Sequence, residues 1–306
     1  MHTITPHINR RHAIRLGAAC FLPTSVWAAG ASPLADHPGL AALEKRVGGR
    51  LGVAMLHTGT GAIAGHRLHE RFGMCSTFKM PLAGVVLRKV DEGSLRLDQW
   101  VPYSQADMVS HAPVTGQHLA EGGMTVGALA RATQTTSDNP AANLLMRLLG
   151  GPTGITATLR ALGDTETRLD RLEPQMNLVP QGEVRDTTTP LAMAQAMSLM
   201  LTKGWLSPAS TKLLIEWMEA TETGSKRLRA GFPKGWRSGD KTGTAMADGM
   251  VDKYNDTAIA WAPEKAPLIV TAYYDAAKAY GKGIRDEDQA VLAEVGRIAA
   301  NWYITA

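Results

Sequence analysis

The chain has 306 residues, 44% of them hydrophobic, enough for a large buried core in one or two domains, so it is expected to fold unaided. Residues 1–29 hold three arginines and no acidic residue; without them Lys+Arg falls from 32 to 29 against an unchanged 28 Asp+Glu, and the net charge of +4 falls to about +1. So even a balance excludes the basic footprint of a nucleic-acid or membrane-surface protein.

The first 29 residues read as a cleaved export signal: Arg10, Arg11 and Arg15, then the apolar stretch Leu16 to Leu22, then the small residues after Trp27. Asn9-Arg10-Arg11 fits a twin-arginine signal, with an ordinary positive n-region as the alternative. Lipidation at Cys20 is disfavoured, because Gly17 stands where a large aliphatic is expected. No later segment approaches the ~18 apolar residues of a spanning helix, so the mature protein is expected to be soluble, without a membrane part.

Leu40, Leu43 and Val47 then recur at helical spacing, and Gly52–His57 and Ala62–Leu68 flank Thr58-Gly59-Thr60-Gly61 as two strands around a turn. The same texture returns at the far end, where Thr257–Ala262 and Leu268–Tyr274 flank the turn Pro263–Pro267. Val291, Val295, Ile298 and Trp302 follow on one face of a last helix. Between these ends the pattern is helical, with Thr125 as an N-cap, Asn139-Pro140 as a cap followed by proline, and Gly150-Gly151 as a stop. Strands at both ends around a helical middle predict an α+β molecule in two parts. An antiparallel sheet flanked by helices is formed by 38–68 and 220–306, and an all-helical part by 69–219. The stretch 163–190 lacks periodicity, and a loop that long inside a compact fold is usually functional.

Ser76-Thr77-Phe78-Lys79 opens a segment in which Met74, Phe78, Leu82, Val85, Val86 and Val90 mark a buried helix. On a helix the i,i+3 relation sets the Lys79 amine beside the Ser76 hydroxyl, and the helix N-terminus favours the charge that develops on a deprotonating hydroxyl. Serine needs such a neighbouring base, and an amine acts as one when desolvation and nearby cations lower its proton affinity. Ser238-Gly239-Asp240-Lys241 matches the same four-residue pattern. It lies in an extended stretch, where residues three apart point to opposite faces.

Two further motifs follow the first copy in order: Ser137-Asp138-Asn139 before a helix, and Lys241-Thr242-Gly243 before the last strands. With this set the chain resembles the class A serine β-lactamases from about Leu40 to the C-terminus. The resemblance implies the two-domain serine β-lactamase/DD-peptidase fold, no cofactor, no metal, and β-lactam hydrolysis by a monomer exported to the bacterial periplasm. It makes Ser76 the acylated nucleophile with Lys79 beside it, and Ser137 the relay to the leaving nitrogen. Arg171-Leu172-Glu173-Pro174-Gln175-Met176-Asn177 looks like the family's Ω-loop signature, at about 168–186, with Glu173 as the base and Asn177 helping to hold its water. Arg171 paired with Asp186 would fix the loop, and Asn143 would bond the glutamate. Asn139, Lys241, Thr242, Gly243 and Thr244 would face the substrate, with the N–H groups of Ser76 and Thr244 as the oxyanion hole. Arg227 reads either as a ligand of the substrate carboxylate or as an exposed helix-end arginine.

Some residues depart from the family pattern. His111 stands where an aromatic rim residue is often found, and reads as a gate or as plain surface. Cys75 has no partner, since the position matching the second cysteine of some members is Ala245; it reads as a packing residue, and no disulfide is expected. The stretch 245–255 looks about four residues longer than usual and is expected to widen the cleft toward bulky oxyimino-cephalosporins. The nearest rival is a DD-peptidase or transpeptidase, against which Glu173 and Asn177 count. A non-catalytic β-lactam receptor would need signalling segments that are not visible. A zinc hydrolase would need a His-x-His-x-Asp-His run, and His66-Arg67-Leu68-His69 is better read as strand-end histidines.

Overall fold

The computed structural model describes residues 1–2, 35–281 and 283–305. Arg10, Arg11, Arg15 and Cys20, which carry the export reading, lie outside them. The chain runs through β1 (Ala35–Asp36), α1 (Pro38–Val47), β2 (Arg50–His57), β3 (Ile63–His66), β4 (Phe72–Gly73) and α2 (Lys79–Asp91). It continues through β5 (Trp100–Pro102), β6 (Gly123–Thr125), α3 (Val126–Thr135), α4 (Asn139–Leu148), α5 (Gly151–Leu162), β7 (Thr187–Thr188), α6 (Pro190–Thr202) and α7 (Pro208–Glu219). Last come α8 (Leu228–Gly231), β8 (Arg237–Ala245), β9 (Lys253–Trp261), β10 (Leu268–Asp275) and α9 (Asp286–Thr305).

Six strands from both ends of the chain form one sheet in the order β1-β3-β2-β10-β9-β8, antiparallel except for the β1–β3 pair. Alternation along the strands divides the interior in two. Leu51, Val53 and Met55 of β2, Ala258 and Ala260 of β9 and Val270 and Ala272 of β10 face α1 and α9, meeting Leu40, Leu43, Leu292 and Val295. Ala54, Leu56, Ile259, Ile269 and Tyr273 point the other way, into the larger core made by the helical middle.

That middle is helical apart from two short ribbons, β4 with β7 and β5 with β6. Two-residue and three-residue strands leave no alternation to read in a sequence. The β4–β7 ribbon pairs Phe72 with Thr188 and so brings the end of the 163–190 loop to the start of the Ser76 segment. Helix α2 is the hub: Met80 to Leu87 are all buried, as expected of a helix that is apolar on every side.

Local signals act largely where the residue types place them. Thr125 caps α3 by accepting from Ala128 N at 3.2 Å. Gly150 takes the left-handed conformation, φ 85°, between α4 and α5. At α4 the cap is Asp138 and not Asn139: its carboxylate accepts from Ala141 N at 2.9 Å, and Asn139 and Pro140 are already inside the helix. Carboxylate and amide cap equally well, and here the amide is engaged elsewhere.

Candidate active site

Ser76 lies in a 3-10 turn, Cys75–Phe78, that runs straight into α2. Cys75 immediately before it has a φ of 47°, a conformation rare for any residue with a side chain, so the surroundings must hold it. Three contacts do so. Met74 N donates to Asp186 O at 3.1 Å. Asn255 Nδ2 on β9 donates to Gly73 O and Met74 O at 2.8 and 3.0 Å. Gly243 on β8 lies so close that a Cβ there would stand 2.8 Å from Met74 O and 3.1 Å from Ser76 N. The Cys75 thiol is fully buried, and burial pushes it up to about 12, so it is a neutral packing group.

The Lys79 amine is fully buried at the centre of the site. It donates to Ser76 Oγ (3.1 Å), Ser137 O (2.8 Å), Ser137 Oγ (3.3 Å) and Asn139 Oδ1, and it stands 3.1 Å from Glu173 Oε1. An ammonium has three protons for these five acceptors, so its bonds can be exchanged without moving the nitrogen. Burial lowers its proton affinity and the Glu173 carboxylate opposes that. Ser137, at φ 63°, receives a second donor from Lys241 Nζ at 3.1 Å. Ser76 Oγ, Lys79 Nζ, Ser137 Oγ and Lys241 Nζ thus form one unbroken chain. Lys241 is also fully buried, and desolvation together with the nearby Lys79 charge pushes it down to about 7.

Glu173 closes the site from the 163–190 loop, buried to within 2%. Oε1 accepts from Ser76 Oγ at 3.4 Å and Oε2 from Asn177 Nδ2 at 2.5 Å. Asn143 on α4 clamps its backbone, accepting from Glu173 N at 2.8 Å and donating to Glu173 O at 2.9 Å. Arg171 Nε reaches Asp186 Oδ2 at 2.6 Å, and Asp186 Oδ1 accepts from the N–H groups of Asp170 and Arg171, which pins the two ends of the loop together. Asp186 is fully buried, and that burial raises its proton affinity even with Arg171 beside it.

The opposite wall is β8. Ser238 and Lys241 sit on it as extended residues, so the second Ser-x-x-Lys copy does not assemble a serine–lysine pair. Thr242 Oγ1 bonds Thr223 Oγ1 at 2.6 Å, and Thr244 stands half-buried in a cleft of about 330 Å³ with Asn139, Pro174, Asn177 and Ala245. A larger cavity of about 820 Å³, beside Trp205 and Ile215, holds none of these groups; the site is placed by its chemistry and not by size.

Arg227 meets neither sequence reading directly. It is only 2% exposed, which rules out a surface arginine, and its guanidinium donates to Gly243 O (2.9 Å), Asn255 O (2.8 Å) and Thr244 Oγ1 (2.6 Å). It therefore reaches the cleft through Thr244. His111 is exposed, at φ 63°, with Nε2 bonded to Thr136 O at 3.0 Å and its carbonyl accepting from Asn139 N. Asn139 has both ends of its amide engaged, Oδ1 by Lys79 and Nδ2 with Ser110 O at 2.9 Å.

Two supporting residues were not found from the sequence. Asp138 is fully buried and, besides capping α4, accepts from Val114 N, Thr115 N and Thr115 Oγ1 at 2.8 to 3.0 Å, fastening the Ser137 loop to the next. Asn255 tethers the nucleophile turn; β9 begins at Lys253, earlier than the Thr257 start read from the sequence, so nothing local marked Asn255 as a strand residue.

A sequence profile of the β-lactamase enzyme family matches residues 39–303. The β-lactamase L2 of Stenotrophomonas maltophilia is 47% identical over 260 residues, covering 85% of this chain and 83% of that protein. The β-lactamase FAR-1 of Nocardia farcinica is 44% identical, covering 84% and 79%. Among solved structures, an ancestral Gram-negative class A β-lactamase superposes with a TM-score of 0.81 at 50% identity, over 87% of this chain and 98% of that one.

Proposed function

Because the chain belongs to the class A serine β-lactamases and hydrolyses β-lactam antibiotics, the activity that confers resistance, we propose that its hydrolysis runs in two steps on the groups described above. Ser76 Oγ attacks the lactam carbonyl, and its proton passes to one of the two bases in contact with it, Lys79 or Glu173. The N–H groups of Ser76 and Thr244 take the developing oxyanion; a donor of this kind is worth about 3 kcal/mol. The C–N bond breaks as the ring nitrogen takes the Ser137 proton, which Lys79 Nζ replaces; the proton taken from Ser76 ends on Lys79, directly or through Glu173 3.1 Å away, so Glu173 is ionised again. Glu173 then deprotonates a water held with Asn177, the resulting hydroxide attacks the ester, and Ser76 is released with its proton restored. Lys241 and Thr242 hold the substrate carboxylate, with Thr244 oriented by Arg227, and His111 offers a stacking face near Ser110.

The observation that carries this reading is the Glu173 carboxylate, buried and within reach of Ser76, Lys79 and Asn177 at once. It supplies the base that separates a hydrolase from an acylated peptidase. Time-resolved mass spectra with benzylpenicillin test it: rapid turnover by the wild type and a trapped adduct on Ser76 in Glu173→Ala are expected. A long-lived adduct on the wild type would overturn it.

Penicillins and cephalosporins are the proposed substrates, and the small side chains Ala245 and Ala247 on the cleft wall favour bulky oxyimino-cephalosporins too. Negligible cefotaxime turnover beside benzylpenicillin would refute that extension. The leader-like residues 1–29 support delivery to the periplasm; Arg10→Lys with Arg11→Lys should leave precursor in the cytoplasm if the twin-arginine route is used.

A further inference from the structure

Behind β8, on the face away from Lys241, two carboxyl groups meet in the interior. The register pairs Asp240 with Ala258 and Thr242 with Asp256, which sets Asp240 and Asp256 diagonally across the ladder on one face. Both are fully buried, and the diagonal places their carboxyls within reach of each other. Asp256 Oδ2 accepts from Leu228 N at 3.1 Å, while Asp240 Oδ1, Asp240 Oδ2 and Asp256 Oδ1 have no N–H or O–H donor among the described residues. Gly224 closes over them so tightly that a Cβ there would fall 1.4 Å from Asp240 Oδ2.

The cations near the pair are Arg229, with Nε 3.1 Å from Asp240 Oδ1 but poorly aligned to donate, Arg227, and Lys241 across the strand. Arg227 gives its donors to Gly243, Asn255 and Thr244. The neutral neighbours Gln134 and Thr221 bond the Asp240 carbonyl and not its carboxyl. Two carboxylates in contact in a dry interior cannot both ionise. Burial pushes both up, Asp256 to about 6 and Asp240 well above the usual carboxylate range. A proton held between them is also the donor that the remaining oxygens lack.

We propose that Asp240 and Asp256 share one proton, and that the single negative charge left on the pair is a positioning element that keeps Lys241 an ammonium. This rests on Lys241 holding the substrate carboxylate. Lys241 is surrounded by influences that favour the neutral amine, its own burial and the Lys79 charge, and the pair supplies a counter-charge from across the strand. A pair carrying no charge would release the Lys241 proton at lower pH, and substrate would be held only in more acidic solution.

Two measurements test this. In protein labelled with ¹³C at the aspartate carboxyls, one buried carboxyl resonance should remain at its protonated position at pH 7 and vanish in Asp256→Asn. Two ionised carboxyls at pH 7 would overturn the shared proton, and this arm needs no variant that removes the charge. In kinetics with benzylpenicillin, Asp256→Asn keeps one charge and offers an N–H in place of the proton, so the alkaline limb of kcat/KM should stay in place. Asp240→Asn combined with Asp256→Asn should move that limb acidward by about one pH unit, a tenfold loss near pH 8 expressed in KM. An unmoved limb in the folded double variant, or an equal shift in the single one, would overturn the role. If Lys241→Ala leaves KM unchanged, it is the carboxylate-holding reading that falls, whatever the carboxyl resonance does.

Discussion

On the helical wall of the cleft, Ser76, Lys79, Ser137, Asn139 and Glu173 satisfy one another directly, around one buried amine that has more acceptors than protons. On the strand wall, Lys241, Thr242 and Thr244 depend on groups behind β8: Arg227 on Thr244, Thr223 on Thr242, and the carboxyl pair across from Lys241. The first arrangement suits moving protons, since bonds can be exchanged in place. The second suits holding an anion, since its donors are fixed from outside the cleft. Chemistry and grip are therefore separable by mutation.

The sharpest way to break that division is Glu173→Ala. Deacylation should fall by about 10² to 10⁴ with acylation retained, read as a pre-steady-state burst followed by almost no turnover; a loss of the burst as well would mean that Glu173, and not Lys79, is the base for acylation too. Next comes Asp186→Asn, which leaves Arg171 facing a neutral group. Breaking a buried pair costs about 3 kcal/mol, so the melting temperature should drop by about 5 °C, and turnover with it. Lys241→Ala should then raise KM for a penicillin about 30-fold, the worth of a charge-assisted hydrogen bond of ~2 kcal/mol, with kcat much less affected. Its pH counterpart follows from Lys241 being pushed down to about 7: the ammonium is present below that value and lost above it, so wild-type KM should rise as pH climbs through 7 to 9. Thr244→Ala should cost least, about fivefold in kcat/KM, with Thr244→Ser restoring it if Arg227 acts through the hydroxyl.

Much of the helical wall was legible before any coordinates. Ser76 and Lys79 are neighbours through helical spacing alone, and the 163–190 loop announced itself by lacking a period. The hairpin of β2 and β3 and the inner face of α9 were equally plain, because alternation and 3.6-residue spacing are properties of a local stretch. The strand wall was harder. Gly239-Asp240-Lys241-Thr242-Gly243 shows no alternation of apolar residues, and the fate of Arg227 depends on acceptors 16, 17 and 28 residues away. Asn139 as a cap failed for the same kind of reason: Asp138 next to it is as good a cap, and only the position of Lys79 decides between them.

The hydrogen bond from Met74 N to Asp186 O joins the Ω-loop to the nucleophile turn at 3.1 Å. Adaptation toward larger drugs by slackening that loop would pull on the very turn that aims Ser76. Breadth of spectrum and speed on small penicillins are therefore mechanically linked in this enzyme. Variants selected for one should be recovered with second changes, near Asn255 or Gly243, that restore the other.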